Sequence, residues 1–205
     1  MTRRVVVVPL TAPTWTPPGL DPRAWRRALA DDAIDLLATL AEVEPALAVE
    51  TSDRDFAAAV AWPGMRVYAL AQPTVASVLE AAAADGFEQA AIIAADAPDL
   101  PGMLIAKLLR PLTTRDAAAA PAAGDPTGLL GLAARLPMPT WLPDVDLDTA
   151  TVQSIRAAAP AATEIIGTPG WHRLRTPDAL NRLDPDLDGW EATRDLLSRG
   201  VLANR

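Results

Sequence analysis

The stretch Gln89 to Pro101, QAAIIAADAPDLP, constrains the fold more than any other part of this chain. An apolar run from Ala90 to Ala95 stops at Asp96, and Pro98, Asp99 and Pro101 follow at once. Small and branched apolar residues without alternation read as a strand buried on both faces. A carboxylate at the carboxyl end of such a strand lies where open α/β sheets bind ligands. The prolines then end the strand and start a helix, whose first turn accepts proline. Asp96 is thereby delivered to the edge of the expected site. An anionic group in that place points toward a metal-bound phosphate, without naming a reaction.

The preceding residues repeat the same alternation. Arg4 to Pro9 reads as a first central strand and Leu10 to Gly19 (LTAPTWTPPG) as a long loop. A helix is expected from Pro22 to about Val43, with Asp21 as N-cap and a buried face of Trp25, Leu29, Ala33, Leu36, Leu37 and Leu40. Ala46 to Glu50 and Val67 to Ala71 are expected strands; Asp53 to Val60, Thr74 to Ala84 and Gly102 to Leu112 are expected helices. Such alternation favours βαβ units and a parallel sheet. After residue 113 the style changes. Ala117 to Ala122 and Gly128 to Ala134 read as strands too close together for a crossover, so they predict a hairpin and a mixed sheet. A helix over Asp148 to Ala158, a strand over Thr163 to Gly167 and a terminal helix over Asp188 to Arg199 complete the chain. The expected fold is α/β, a three-layer sandwich whose mainly parallel sheet has an antiparallel portion after residue 117, as one domain over residues 1–205.

Composition excludes several functions. With 18 Lys+Arg against 26 Asp+Glu the formal charge is -8, which argues against a general nucleic-acid binder. No cysteine is present, so disulfides and thiolate metal sites are ruled out, and the lone His172 rules out any two-histidine site. Lys107 is the only lysine, although an ammonium is a common phosphate holder. Val5 to Val8 is too short for a signal peptide, and no apolar run approaches the roughly 20 residues that cross a bilayer. The chain reads as cytoplasmic and soluble, with no membrane partner; a homo-oligomer is left open.

Three stretches carry a resemblance. IIAADAPDLP resembles a strand ending in a Ser/Ala-Asp-x-Pro-x-Leu motif, PAAGDPTGLLGLA a Pro-Ala-x-Asp-Gly-Gly-x-x-Leu-x-Gly-Leu motif, and HRLRTPDALNRLD a closing Asp-x-Asp-Thr-x-x-Asp-Leu-x-x-Leu motif. Their order and spacing over roughly residues 60–185 resemble the GT-A nucleotide-diphospho-sugar transferase superfamily. Within it, the chain resembles the small bacterial GT-A-like glycosyltransferases; the superfamily also holds the molybdenum-cofactor and phospholactate guanylyltransferases. The resemblance implies a nucleotidyl- or glycosyl-transferase acting on a nucleoside triphosphate or nucleotide sugar and a small acceptor. It implies Mg²⁺ (or Mn²⁺) held by Asp96, a loop beginning at Leu10 and Thr11 over base and phosphates, and an acceptor pocket lined by Gly124, Asp125 and Gly128. Mg²⁺ with oxygen ligands would neutralise charge on phosphates, so catalysis would rest on positioning and charge neutralisation.

Two departures support a rival, a catalytically silent relative that binds or scaffolds. The first loop has no lysine or arginine before Arg23, and Pro13, Pro17 and Pro18 remove three amide donors. Arg173 and Arg175 stand where the motif has an acidic pair, and Pro126-Thr127 replaces its glycine pair. Other features read more simply. Asp99 is expected to cap the helix near Pro101, Asp125 suits a hairpin turn, and Asp148 is expected to cap its own helix. Arg173, Arg175 and Arg182 are expected to pair with Asp178, Asp184 or Asp186. His172 reads as a core-edge residue. Trp15 could stack on a base or pack its loop, and Trp25, Trp62, Trp141 and Trp190 read as core or interface anchors. Asp184 to Asp195 opens like a calcium loop but lacks the closing glutamate, and Asp144, Asp146 and Asp148 lack the glycine. No Gly-x-Gly-x-x-Gly follows the first strand, against a dinucleotide-dependent oxidoreductase.

Overall fold

Burial on both faces is observed for Val5 to Val8 and for Ala90 to Ile93, which form two adjacent central strands. The computed structural model describes residues 2–203. Its strands are β1 (Arg4–Pro9), β2 (Glu44–Glu50), β3 (Arg66–Leu70), β4 (Gln89–Ile93), β5 (Ala117–Pro121), β6 (Leu129–Arg135) and β7 (Ile165–Gly167). They form one sheet in the order β3-β2-β1-β4-β6-β5-β7. Only β6 runs against the rest: it pairs antiparallel with both β4 and β5, while β7 pairs parallel with β5. The short turn between β5 and β6 forces that reversal. At the β4–β6 contact a Cβ on Gly131 would lie 2.6 Å from the Ile92 carbonyl oxygen, so only glycine allows this approach.

The helices are α1 (Pro22–Ala38), α2 (Arg54–Val60), α3 (Val75–Ala84), α4 (Gly102–Leu109), α5 (Val152–Ala158) and α6 (Glu191–Ala203). Helices α1, α2 and α4 cover one face, with Ile34, Leu37, Val60 and Ile105 packed on Val6 and Val8. Helices α3 and α5 cover the other, with Val78, Leu79 and Ile155 packed on Val5 and Val7. Each such valine contributes roughly 1.5–3 kcal/mol by leaving water. The three-layer, mainly parallel arrangement agrees with the expected one.

Some boundaries moved. Helix α1 ends at Ala38, well before Val43, because the Thr39 hydroxyl and amide both bond the Leu36 carbonyl and Glu44 must already face Val5 in β2. Helix α5 starts at Val152, where Thr151 and Ser154 form a capping box; Asp148 does not cap it. Asp99 does not cap α4 either, since the N-cap is Pro101 without a side-chain bond. Trp62 is 50% exposed, so it does not anchor the core.

A third, smaller cluster ties the ends of the chain together. Trp25 and Leu29 of α1 meet Leu174 and Ala179, with Trp15, Leu20 and Leu196 against them. Trp15 packs edge-on to Trp25 at 6.4 Å, and the Trp25 indole N–H donates to the Trp15 carbonyl, which pins the first loop to α1. Asp32, on α1, accepts the amides of Ala192 and Thr193 at 2.9 Å and so caps α6. Burial pushes its carboxyl up to about 6 from 3.8, against the lowering effect of those amide bonds. A folded-state value above the unfolded one means that this group's stabilisation is complete below about 3.8 and is lost as pH rises through about 6. Urea unfolding at pH 4 and pH 7 should therefore show wild type gaining on Asp32→Asn at the lower pH. Equal differences at both would contradict the assignment.

Candidate functional site

The chain from β1 crosses to one side, through β2 and β3, before returning to β4 on the other. That reversal opens a crevice beyond the carboxyl ends of β1 and β4, where loops diverge. A cavity of about 470 Å³ occupies it, lined by Pro9 to Thr14, Pro73 to Val75, Ala94 to Asp96, Asp144 to Asp148, Arg26, Leu29 and Arg173. Leu10, Thr11 and Asp96 are among the residues that line this cavity. Gly124, Asp125 and Gly128 are not among its lining; they form the β5–β6 turn, with Gly128 against the Arg175 guanidinium.

Arg173 dominates the site. It is 6% exposed, and every N–H of its guanidinium has an acceptor. Nε donates to Oδ1 of Asp96 at 2.6 Å and Nη2 to Oδ2 at 3.0 Å, a bidentate pair. Nη2 also donates to Asp148 Oδ1 at 2.7 Å. Nη1 donates to the carbonyls of Leu129 at 3.1 Å and Leu147 at 3.0 Å. Burial works against this charge, but Asp96 and Asp148 outweigh it and raise the arginine's pKa, so it stays protonated. The Leu174 amide donates to the Asp96 carbonyl at 2.7 Å, which turns Arg173 inward. The expected pairing with Asp178, Asp184 or Asp186 is therefore not made. Arg182 lies 3.9 Å from Asp125 and donates to the Ala123 carbonyl.

The neighbouring carboxylates hold backbone. Asp144 accepts the Ala76 amide at the start of α3, and Asp146 accepts the Asp148 amide and the Thr149 hydroxyl. Arg26 donates to the Leu10 carbonyl and pairs with Asp53 at 2.5 Å, over the ring of Phe56. Asp99 is buried below the site; it accepts the Trp171 indole N–H and the Asp184 amide, 3.1 Å from His172 Nε2. Trp15 faces Trp25 and does not line the cavity. Asp144, Asp146 and Asp148 were missed as site residues. The segment that holds them is irregular, with Asp148 in a turn, so no strand or helix period in the sequence marked them.

The fold as a whole is similar to that of solved structures. A candidate nucleotide-diphospho-sugar transferase of Desulfovibrio desulfuricans G20 superposes with a TM-score of 0.68 at 18% identity, over 98% of each chain. The chain has the GT-A-like fold of the nucleotide-diphospho-sugar transferases. A CMP:2-keto-3-deoxy-manno-octonic acid synthetase complexed with CTP shares this fold with a TM-score of 0.56 at 15% identity, over 88% of this chain and 96% of its own. So does Rv0371c of Mycobacterium tuberculosis H37Rv in complex with manganese, at 0.58 and 12% identity, over 91% of this chain and all of its own. No protein-family model and no curated protein matches the chain.

The GT-A-like fold raises the question of a divalent ion. Oxygen ligands are what Mg²⁺ and Mn²⁺ require, and Asp96 and Asp148 converge on one point, but that point is Nη2 of Arg173. Among the described residues no group of three acidic or histidine side chains is arranged to hold a metal. The residues present therefore do not fit a resident divalent ion. Nor is Asp96 a free ligand whose loss leaves folding intact. Removing one partner of a buried pair strands the other charge, at a cost of about 3–5 kcal/mol. Arg173→Ala should lose that much in urea unfolding, and pairing Arg173→Met with Asp96→Asn should recover a large part of it. A loss below 1 kcal/mol for Arg173→Ala would show that the pair is not buried in solution.

Proposed function

We propose that this chain is a cytoplasmic nucleotidyl- or glycosyl-transferase whose cavity beyond β1 and β4 takes a nucleoside triphosphate or nucleotide sugar. The cavity's position at the switch point of the sheet carries the reading. Solved structures of the same fold, one complexed with CTP, support it. Leu10 and Thr11, at the start of the first loop, would cover the base and ribose among Pro13, Val75 and Val145. Asp96 would act at the phosphate end through the arginine it orients. The acceptor would approach from the turn holding Gly124, Asp125 and Gly128, where Arg175 offers a guanidinium suited to an anionic group. Its chemistry would be positioning and charge compensation, with no covalent intermediate on the protein. Mg²⁺ or Mn²⁺ enters this reading only with the incoming phosphates, because Asp96 and Asp148 are already paired.

One observation favours a second reading, ligand binding without transfer. The Arg173 donors are all used within the protein, leaving none for developing charge. Loss of donor with time, followed chromatographically with candidate acceptors, separates the two.

The first test is a thermal-shift series with nucleoside triphosphates and nucleotide sugars, each with Mg²⁺, Mn²⁺ or chelator. A ligand at about 100 times its dissociation constant adds roughly 2.7 kcal/mol. Ala12 is exposed on the cavity wall, so Ala12→Trp should fill the cavity and remove the shift without lowering the unliganded melting temperature. A shift that survives Ala12→Trp would move the ligand elsewhere, and no shift with any nucleotide would refute the reading.

A further inference from the structure

Every acceptor around Arg173 is an oxygen: both carboxylate oxygens of Asp96, Oδ1 of Asp148, and the carbonyls of Leu129 and Leu147. These are the hard oxygen donors that divalent ions such as Mg²⁺, Mn²⁺ and Ca²⁺ choose. They come from three separate segments, the turn after β4, the start of β6, and residues 147 and 148, and Arg173 reaches them from a fourth. We infer that Arg173 is the built-in cation of this site, occupying with its guanidinium the place of a divalent ion, so that the free protein binds none at Asp96.

The geometry supports replacement over mere proximity. A planar guanidinium places its donors as a fork, and here both prongs and the remaining N–H groups are satisfied at 2.6–3.1 Å. An ion entering the cage would have to expel a charged side chain that is 6% exposed and bonded on every nitrogen. Truncation of that side chain would leave the oxygens too far apart to touch one bare ion, but spaced to hold an ion that keeps some of its waters. The cation supplied by the chain also differs from an exchangeable one in kind. It is always present, needs no metal supply and is indifferent to chelators. Two carboxylates against one guanidinium leave a net negative charge, so the cage with Arg173 removed is a stronger attractor for a divalent cation than the wild-type site.

The test is a Mn²⁺ titration of the full chain followed by electron paramagnetic resonance, with melting temperatures recorded alongside. Wild type should leave the Mn²⁺ signal at its free intensity. Arg173→Ser should take up one equivalent of Mn²⁺ and melt higher in its presence, and adding Asp96→Asn should abolish both effects. Uptake of one equivalent by wild type that Asp148→Asn removes would overturn the inference, as would a folded Arg173→Ser that takes up none. Should Arg173→Ser not fold with or without Mn²⁺, the wild-type titration decides by itself. No nucleotide is added, so this result is independent of whether the cavity binds one.

Discussion

The buried pair of Asp96 and Arg173 joins the parts of the molecule that sequence leaves far apart. It fastens the end of β4 to residues 171–174, and through the same guanidinium reaches the start of β6 and the segment at Asp148. A buried ion pair in isolation gains little over well-packed apolar side chains, because both charges lose their hydration. Here the pair is fully hydrogen-bonded, and the Leu174 amide on the Asp96 carbonyl adds a backbone link beside it. The consequence is positional. Residues 144–148 and Arg173 thereby complete the wall of the cavity.

Around that link the packing divides the work. Two clusters of small aliphatic side chains build the sheet and its helical layers, and a third, aromatic one holds the first loop and the last helix to α1. Alanine in β5 and β6 is a poor strand former on propensity alone. Buried on both faces, it lets neighbouring strands and helices approach closely, and its context overrides its preference.

Sharing a fold does not transfer a reaction. This chain has a crevice with a carboxylate at the end of a central strand, and it balances that carboxylate with an arginine from its own C-terminal segment. The charge that a ligand meets is therefore set by the protein. The carboxylates of Asp144 and Asp146, spent on backbone amides, shape the cavity wall around it.

Much of the architecture was legible in the residues. The unbroken apolar runs at Val5 and Ala90, the short turn before Gly128 and the capping residue Asp21 encode strand burial, the hairpin and a helix start through local chemistry. Asp96 could be placed at a strand's carboxyl end because that end has a fixed position in such sheets, whereas Leu10 and Thr11 were expected beside it from the resemblance alone. The partners of charged groups could not. Arg173 is 77 residues from Asp96, and several aspartates lay closer in sequence. Only the tertiary structure, by folding residues 171–174 back along the end of β4, decides which carboxylates meet that guanidinium. Sequence determined the sheet and which edge of it Asp96 would occupy, because those follow from periodicity and proximity along the chain. Tertiary structure decided what charge stands there, because ion pairing depends on distance in space.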